Sequence, residues 1–176
     1  FNVPKGWEKW LLDMVALATV ADMMPLVGEN RALVHYGLKV IKKSNRVGLQ
    51  KLLALAKENQ KDITEKTMSF TIAPRVNAAS RLDHPMKAFY MLSGADKTIE
   101  ETINYALELE TINKTRKTTV NDISAYLGNN LSDFKKDNII FVGSENWPIG
   151  VAGLIATKIV EMTGKTTFVW GLDEVG

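Results

Sequence analysis

The chain reads as an α/β protein, with a helix-rich first part, a long connecting helix and the beginning of a second α/β unit. Three observations predict this. Apolar residues recur at helical spacing through much of the first 97 positions, a capping box at Thr98 opens a helical register that persists to Gly128, and two short β-type runs then flank a further helix. The 176 residues are 45% hydrophobic, enough for a packed core, and a formal charge of +2 leaves only a local basic face as a polyanion-binding device. The chain has no cysteine, which excludes disulfides and thiolate zinc sites and makes the cytoplasm the expected compartment.

Residues 9–20 are almost continuously apolar, from Trp10 through Leu12, Val15 and Leu17 to Val20, which predicts a fully buried helix. The apolar stretch 10–25 is interrupted by Asp13 and Asp22 and falls short of the roughly 20 apolar residues a membrane span needs, so no membrane segment is expected. After Pro25 and Gly28, residues 30–43 carry Leu33, Tyr36, Val40 and Ile41 at helical spacing and end in Lys42-Lys43, as a helix C-terminus favours. A short helix over 48–57 follows. Thr64 then opens a helical segment that is expected to stop before Pro74, because a residue preceding proline is driven out of the helical region, leaving a loop at 75–81.

The pattern Thr98-Ile99-Glu100-Glu101 starts the long helix, with Ile99, Ile103, Leu107, Val120, Ile123 and Leu127 in register. About 30 residues extend roughly 45 Å. Its middle, 113–119, has few apolar side chains, which suits a connector between two lobes. Downstream, 138–142 and 166–170 are β-type runs around a helix at 151–162 that Gly164 stops, the pattern of a parallel βαβ unit. The start, Phe1-Asn2-Val3-Pro4, has neither an initiator methionine nor a leader pattern, and the chain is expected to be a piece of a longer protein.

Three places have residues suited to chemistry. Asp22 closes an apolar run, where a carboxylate needs a partner: a helix cap, a structural ion pair, or a hard divalent cation such as Mn²⁺ or Mg²⁺. Asp13, a turn from Trp10 and Leu17, suits a structural hydrogen bond. Arg75, Asn77 and Arg81 stand among alanines and a serine that permit close approach, and guanidinium groups bind phosphate oxygens in pairs; the other reading is a surface loop whose arginines meet carboxylates. The turn 143–153 contains Trp147, which either stacks on a base or packs, ahead of a helix N-terminus. His35 and His84 suit structural and solvent-facing roles, and no nucleophilic triad can be assembled.

Four ordered blocks, 12–31, 73–82, 109–116 and 144–156, together resemble the RecJ single-strand-specific exonucleases of the phosphoesterase superfamily named for its Asp-His-His motif. The resemblance implies that residues 1–97 are the C-terminal part of a catalytic domain of that superfamily (DHH), 98–128 the linking helix, and 129–176 the start of its substrate-binding domain (DHHA1). It implies a two-metal site, with Mn²⁺ or Mg²⁺, in which Asp22 is one ligand and the others lie upstream, and a phosphate-binding block made of Arg75, Asn77 and Arg81. The implied activity is 5′–3′ hydrolysis of single-stranded DNA in repair and recombination. The alternatives are an oligoribonuclease or cyclic-dinucleotide phosphodiesterase of the same superfamily, or a non-catalytic nucleic-acid scaffold. Two departures stand out: Ser80 replaces the family's usual glycine, which alters the local backbone, and Pro148 replaces its usual histidine, which removes a polar group near the substrate path.

Overall fold

A 3₁₀ turn, Trp7–Leu11, leads into helix α1 (Leu12–Ala21) in the computed structural model, which describes residues 4–130 and 138–172. The apolar run is not fully buried. Ala16, Leu17 and Val20 face the core, while Trp10 is 50% exposed and Val15 37%, because α1 is packed on one side only, against α2 (Gly28–Ile41), α5 (Ala73–Leu82) and the π turn Met68–Ile72 before it. Asp13 is the buried carboxylate. Its Oδ2 accepts from Arg46 Nε at 2.7 Å and from Ser44 Oγ at 3.2 Å, and Arg46 Nη1 donates to the Leu92 carbonyl, so this charge is fully paired and ties α1 to two later segments.

The face of α2 differs from the expected one. Val34, Gly37 and Ile41 are buried, whereas Tyr36 is exposed. The reason is Gly37: a Cβ there would meet Ala16 Cβ and the Leu12 carbonyl, so the two helices cross at the glycine and the contact face centres on a residue that hydrophobicity does not mark. Helix α3 (Val47–Leu55) repeats the device, with Gly48 against the Met91 carbonyl of α6 (Met86–Ser93). The short α6 carries no strong sequence signal and was not expected; it ends at Gly94 in the left-handed conformation.

The expected break before Pro74 does not occur. Thr64 caps a single turn, α4 (Glu65–Thr67), a π-helical turn Met68–Ile72 follows, and α5 (Ala73–Leu82) continues without interruption. Proline clashes with the carbonyl four residues back in a regular helix. Here the backbone ladder is already displaced, since Ala73 N–H donates to Met68 O five residues back, and Pro74 sits in the first turn of α5, where it has no intrahelical partner to lose. The arginine block at 75–81 is therefore helix rather than the expected loop.

Helix α7 (Ile99–Asn129) matches the expected length. Its buried stripe runs through Thr102, Ala106, Leu109 and Asn113 before reaching Val120, Ile123 and Leu127, while Ile99 and Leu107 lie outside it. Ala106 and Leu109 belong to a first apolar cluster with Leu17, Leu52, Met68 and Met91; Val120, Ile123 and Leu127 belong to a second with Ile140, Val151 and Ile155. One rod thus joins two cores. In its capping box Glu101 N–H donates to Thr98 Oγ1 at 3.1 Å and Thr98 N–H donates to the Glu101 carboxylate at 2.8 Å. The Thr98 backbone bond holds the Glu101 carboxyl below its ordinary value. Because the folded-state value is depressed, the cap's contribution is present above the unfolded carboxylate value and is lost as pH falls through the lower folded one. The expected result is a protection factor at Thr98, corrected for the intrinsic pH dependence of exchange, that falls on acidification through the carboxylate range and does not do so in Glu101→Gln; a Thr98 protection factor that does not vary with pH would refute this link.

In the second unit β1 (Ile139–Pro148) pairs in parallel with β2 (Thr166–Leu172), Ile139 opposite Thr166, with a register shift between Ser144 and Pro148. Helix α8 (Ala152–Thr163) makes the crossover and stops at left-handed Gly164. The βαβ expectation holds, and β1 is longer than 138–142 because the bulge carries it on to Pro148. Trp147 packs against the second cluster.

Candidate nucleic-acid interface

Helix α5 sorts the arginine block onto two faces. Asn77 and Arg81 are one turn apart, i and i+4, on the outward side, and Ser80 is exposed beside them. Arg75 points the other way. It is buried, its Nε donates to Glu110 Oε2 at 2.6 Å and its Nη1 to the Thr71 carbonyl at 2.7 Å, so it is a strut between α5 and α7 and not an available phosphate donor. The expectation that it binds phosphate fails because helical geometry rotates residue 75 into the core, where Glu110 already supplies its anion.

Arg81 lies where the two cores meet. Its Nη1 donates to the Gly150 carbonyl at 3.1 Å, and Gly150 sits so close that a Cβ would fall on the Arg81 backbone carbonyl. A cleft of about 950 Å³ opens there, lined by Ser80, Arg81, His84, Asn146, Trp147 and Gly150 among others. Pro148 also faces it, so the position where a histidine is usual does border this cleft. Asp83, which also lines it, is held by Lys87, and Lys87 joins Asp83 and Glu108 at 2.8 Å each. The hydrogen bond from Lys87 lowers the Asp83 carboxyl below its ordinary range, while the two carboxylates raise the Lys87 ammonium.

Sequence reading assigned no role to Arg116, which lies at the same junction. Its Nη2 donates to Oδ1 of the buried Asn113 at 3.0 Å, and its Nε is buried with no partner. Burial, and secondarily the positive charge of Arg81, pushes the guanidinium below its ordinary value. The Asn113/Arg116 pair at i, i+3 inside the apolar-poor middle of α7 was the signal available to find it.

Asp22 stands apart from this cleft. It is exposed at the C-terminus of α1, where Met23 takes a left-handed φ of 55° and Met23 and Met24 N–H donate to Val20 and Thr19 carbonyls. The argument that burial demands compensation therefore applies to Asp13 and not to Asp22. No hydrogen bond or ion pair among the described residues engages the Asp22 carboxylate, and no three His, Asp or Glu side chains converge there as a metal site. A free, exposed carboxylate fits one ligand position of an oxygen-rich site and is not a site by itself.

No protein-family model matches the chain. It is 32% identical over 165 residues to the single-stranded-DNA-specific exonuclease RecJ of Bacillus subtilis, covering 93% of this chain and 21% of that protein. It is 35% identical over 156 residues to RecJ of Thermus thermophilus, covering 89% and 22%. The crystal structure of RecJ from Thermus thermophilus in complex with Mn²⁺ superposes with a TM-score of 0.79 at 32% identity over 93% of this chain and 24% of that one. A second exonuclease RecJ structure, bound to manganese, gives 0.82 at 32% identity over 97% and 42%. The chain spans about a fifth of the length of the Bacillus and Thermus relatives. In sequence and in fold this chain matches a segment of the single-stranded-DNA-specific exonuclease RecJ.

Proposed function

We propose that the chain is the part of a cytoplasmic RecJ-type 5′–3′ exonuclease in which residues 1–97 complete a DHH-type catalytic domain, 98–128 form the linking helix and 129–176 begin a DHHA1-type substrate-binding domain. The substrate is single-stranded DNA, hydrolysed at its phosphodiester bonds in repair and recombination. The observation that carries this reading is the agreement with manganese-bound RecJ at a TM-score of 0.82 over 97% of the chain. Two apolar cores strung on one helix, with a cleft between them that Arg81 lines, support it physically. No helix among the described residues is long and apolar enough to cross a membrane.

Within this reading Arg81 holds a backbone phosphate at the junction, Asn77 offers an amide one turn away, and Arg75 keeps α5 at its height on α7. Asp22 contributes one carboxylate oxygen donor to the metal site. Mn²⁺ or Mg²⁺ bound there would polarise the phosphoryl group and lower the pKa of an attacking water.

The test is release of nucleotides from 5′-labelled single-stranded DNA by the natural full-length protein in Mn²⁺, with Asp22→Ala as the paired variant. Activity is expected to fall by at least on the order of 100-fold with an unchanged melting temperature, since Asp22 is exposed. A variant as active as wild type removes Asp22 from the metal site. A folded wild type that leaves DNA intact but cleaves short oligoribonucleotides or cyclic dinucleotides replaces the substrate, and one that only binds DNA makes it a scaffold. The 176-residue chain alone is expected to be inactive, because one carboxylate does not hold two cations.

A further inference from the structure

We propose that Arg116 is a second backbone-phosphate contact, gripping with Arg81 one phosphodiester of the single strand where it crosses the junction of the two cores. The inference rests on the exonuclease reading and adds to it a residue on the connecting helix. Partner chemistry carries it. The inward arginines with structural work each own a carboxylate, Arg46 with Asp13 and Arg75 with Glu110. Arg81 and Arg116 own none: the first donates to a neutral carbonyl, the second to a neutral amide oxygen, and the second leaves Nε buried without any partner.

A half-buried cation without an anion costs stability, because desolvation is uncompensated. Retaining one suits a site whose anion arrives with a ligand. The two lie near one another: the positive charge of Arg81 reaches Arg116, and Leu82, next to Arg81, packs against the cluster of Val120 on the same helix as Arg116. Asn113, buried at 1% exposure, fixes one arm of the Arg116 fork through Nη2, and Nε stays buried without a partner. A smaller groove of about 250 Å³ between α7 and α8 is lined by Arg116 with Lys117 and Lys158, so the cations beside Arg116 outnumber any anion there. A guanidinium pair presents forked donors matched to phosphate oxygens, which a carboxylate-rich or apolar ligand would not use.

The experiment is fluorescence anisotropy of a labelled single-stranded oligonucleotide with the full-length protein in EDTA, across a salt series. Arg116→Gln is expected to weaken binding about tenfold and to reduce the salt slope by about 0.7, the value for one phosphate contact on a single strand. The ligand-free melting temperature is expected to hold or rise, because an unpaired charge has been removed; a structural arginine would lower it. Arg81→Gln should weaken binding similarly, and the double variant by less than the product of the two, since they share one phosphate. Arg116→Lys, which keeps the charge without the fork, is expected to fold and to lose about threefold, and it decides the matter if the Gln variant does not fold. Wild-type affinity in either Arg116 variant, with Arg81→Gln still impaired, overturns the second contact and leaves the exonuclease reading standing. Wild-type protein that neither binds nor cuts single strands overturns both.

Discussion

Replacing Arg75 by methionine is expected to destabilise the protein by about 3 kcal/mol, the lower end of the cost of breaking a buried ion pair. The Arg75 and Glu110 side chains are 10% and 12% exposed and meet at 2.6 Å. Removing the arginine leaves Glu110 with Lys114 at 3.7 Å, whose side chain is 72% exposed and whose screened charge compensates little. Methionine fills most of the volume, so the loss reports the stranded carboxylate and not a cavity. Chemical denaturation measures it. The double variant Arg75→Met, Glu110→Leu removes both charges and should recover most of the loss, because a buried pair exchanged for apolar residues is often neutral. Equal losses in the single and double variants would sink the ion-pair account and point to packing alone.

Gly150→Ala should cost about 1–3 kcal/mol and weaken single-strand binding, whereas Gly153→Ala, three residues on, should be neutral or slightly stabilising. A Cβ at Gly150 meets the carbonyl oxygen, carbonyl carbon and Cα of Arg81, all backbone atoms that no rotamer change can move aside; at Gly153 nothing lies within 4 Å. Position 153 is in the first turn of α8, where alanine is the better helix former by up to about 1 kcal/mol. Thermal melts of the two variants separate the effects. A Gly150→Ala protein that melts and binds like wild type would mean that the segment before α8 can slide on α5 without cost.

Much of the frame is legible from local chemistry. The capping box at Thr98, the left-handed stop at Gly164 and the strand-helix-strand run depend on neighbours a few residues apart, and they appear where the residues indicate. The errors have two origins. Buried faces were assigned by hydrophobicity, yet α1, α2, α3 and α6 meet at glycines, so Gly37 is interior and Tyr36 is not. The proline rule failed at Pro74 because a π turn absorbs the clash, and a π turn leaves no mark in composition.

The candidate site divides the same way. The residue types of Asn77 and Arg81 among small neighbours suggest phosphate binding before any fold is known, on a stretch that reads as a loop and folds as α5, and the ordered blocks around them resemble one family. Whether an arginine is a tool or a strut is decided elsewhere. Arg75 and Arg81 differ by six positions on one helix, and only the packing of α7 against it, 35 residues away in the Arg75–Glu110 pair, gives one a carboxylate and leaves the other at an open cleft. The sequence by itself therefore determined the local elements, their order and the kind of chemistry on offer, since each follows from short-range geometry and side-chain type. Only the tertiary structure decided that Asp13 and not Asp22 is the buried aspartate, that Arg75 is spent on Glu110 and that Arg116 is left half-buried without a carboxylate, because burial and charge pairing are properties of contacts between segments distant along the chain.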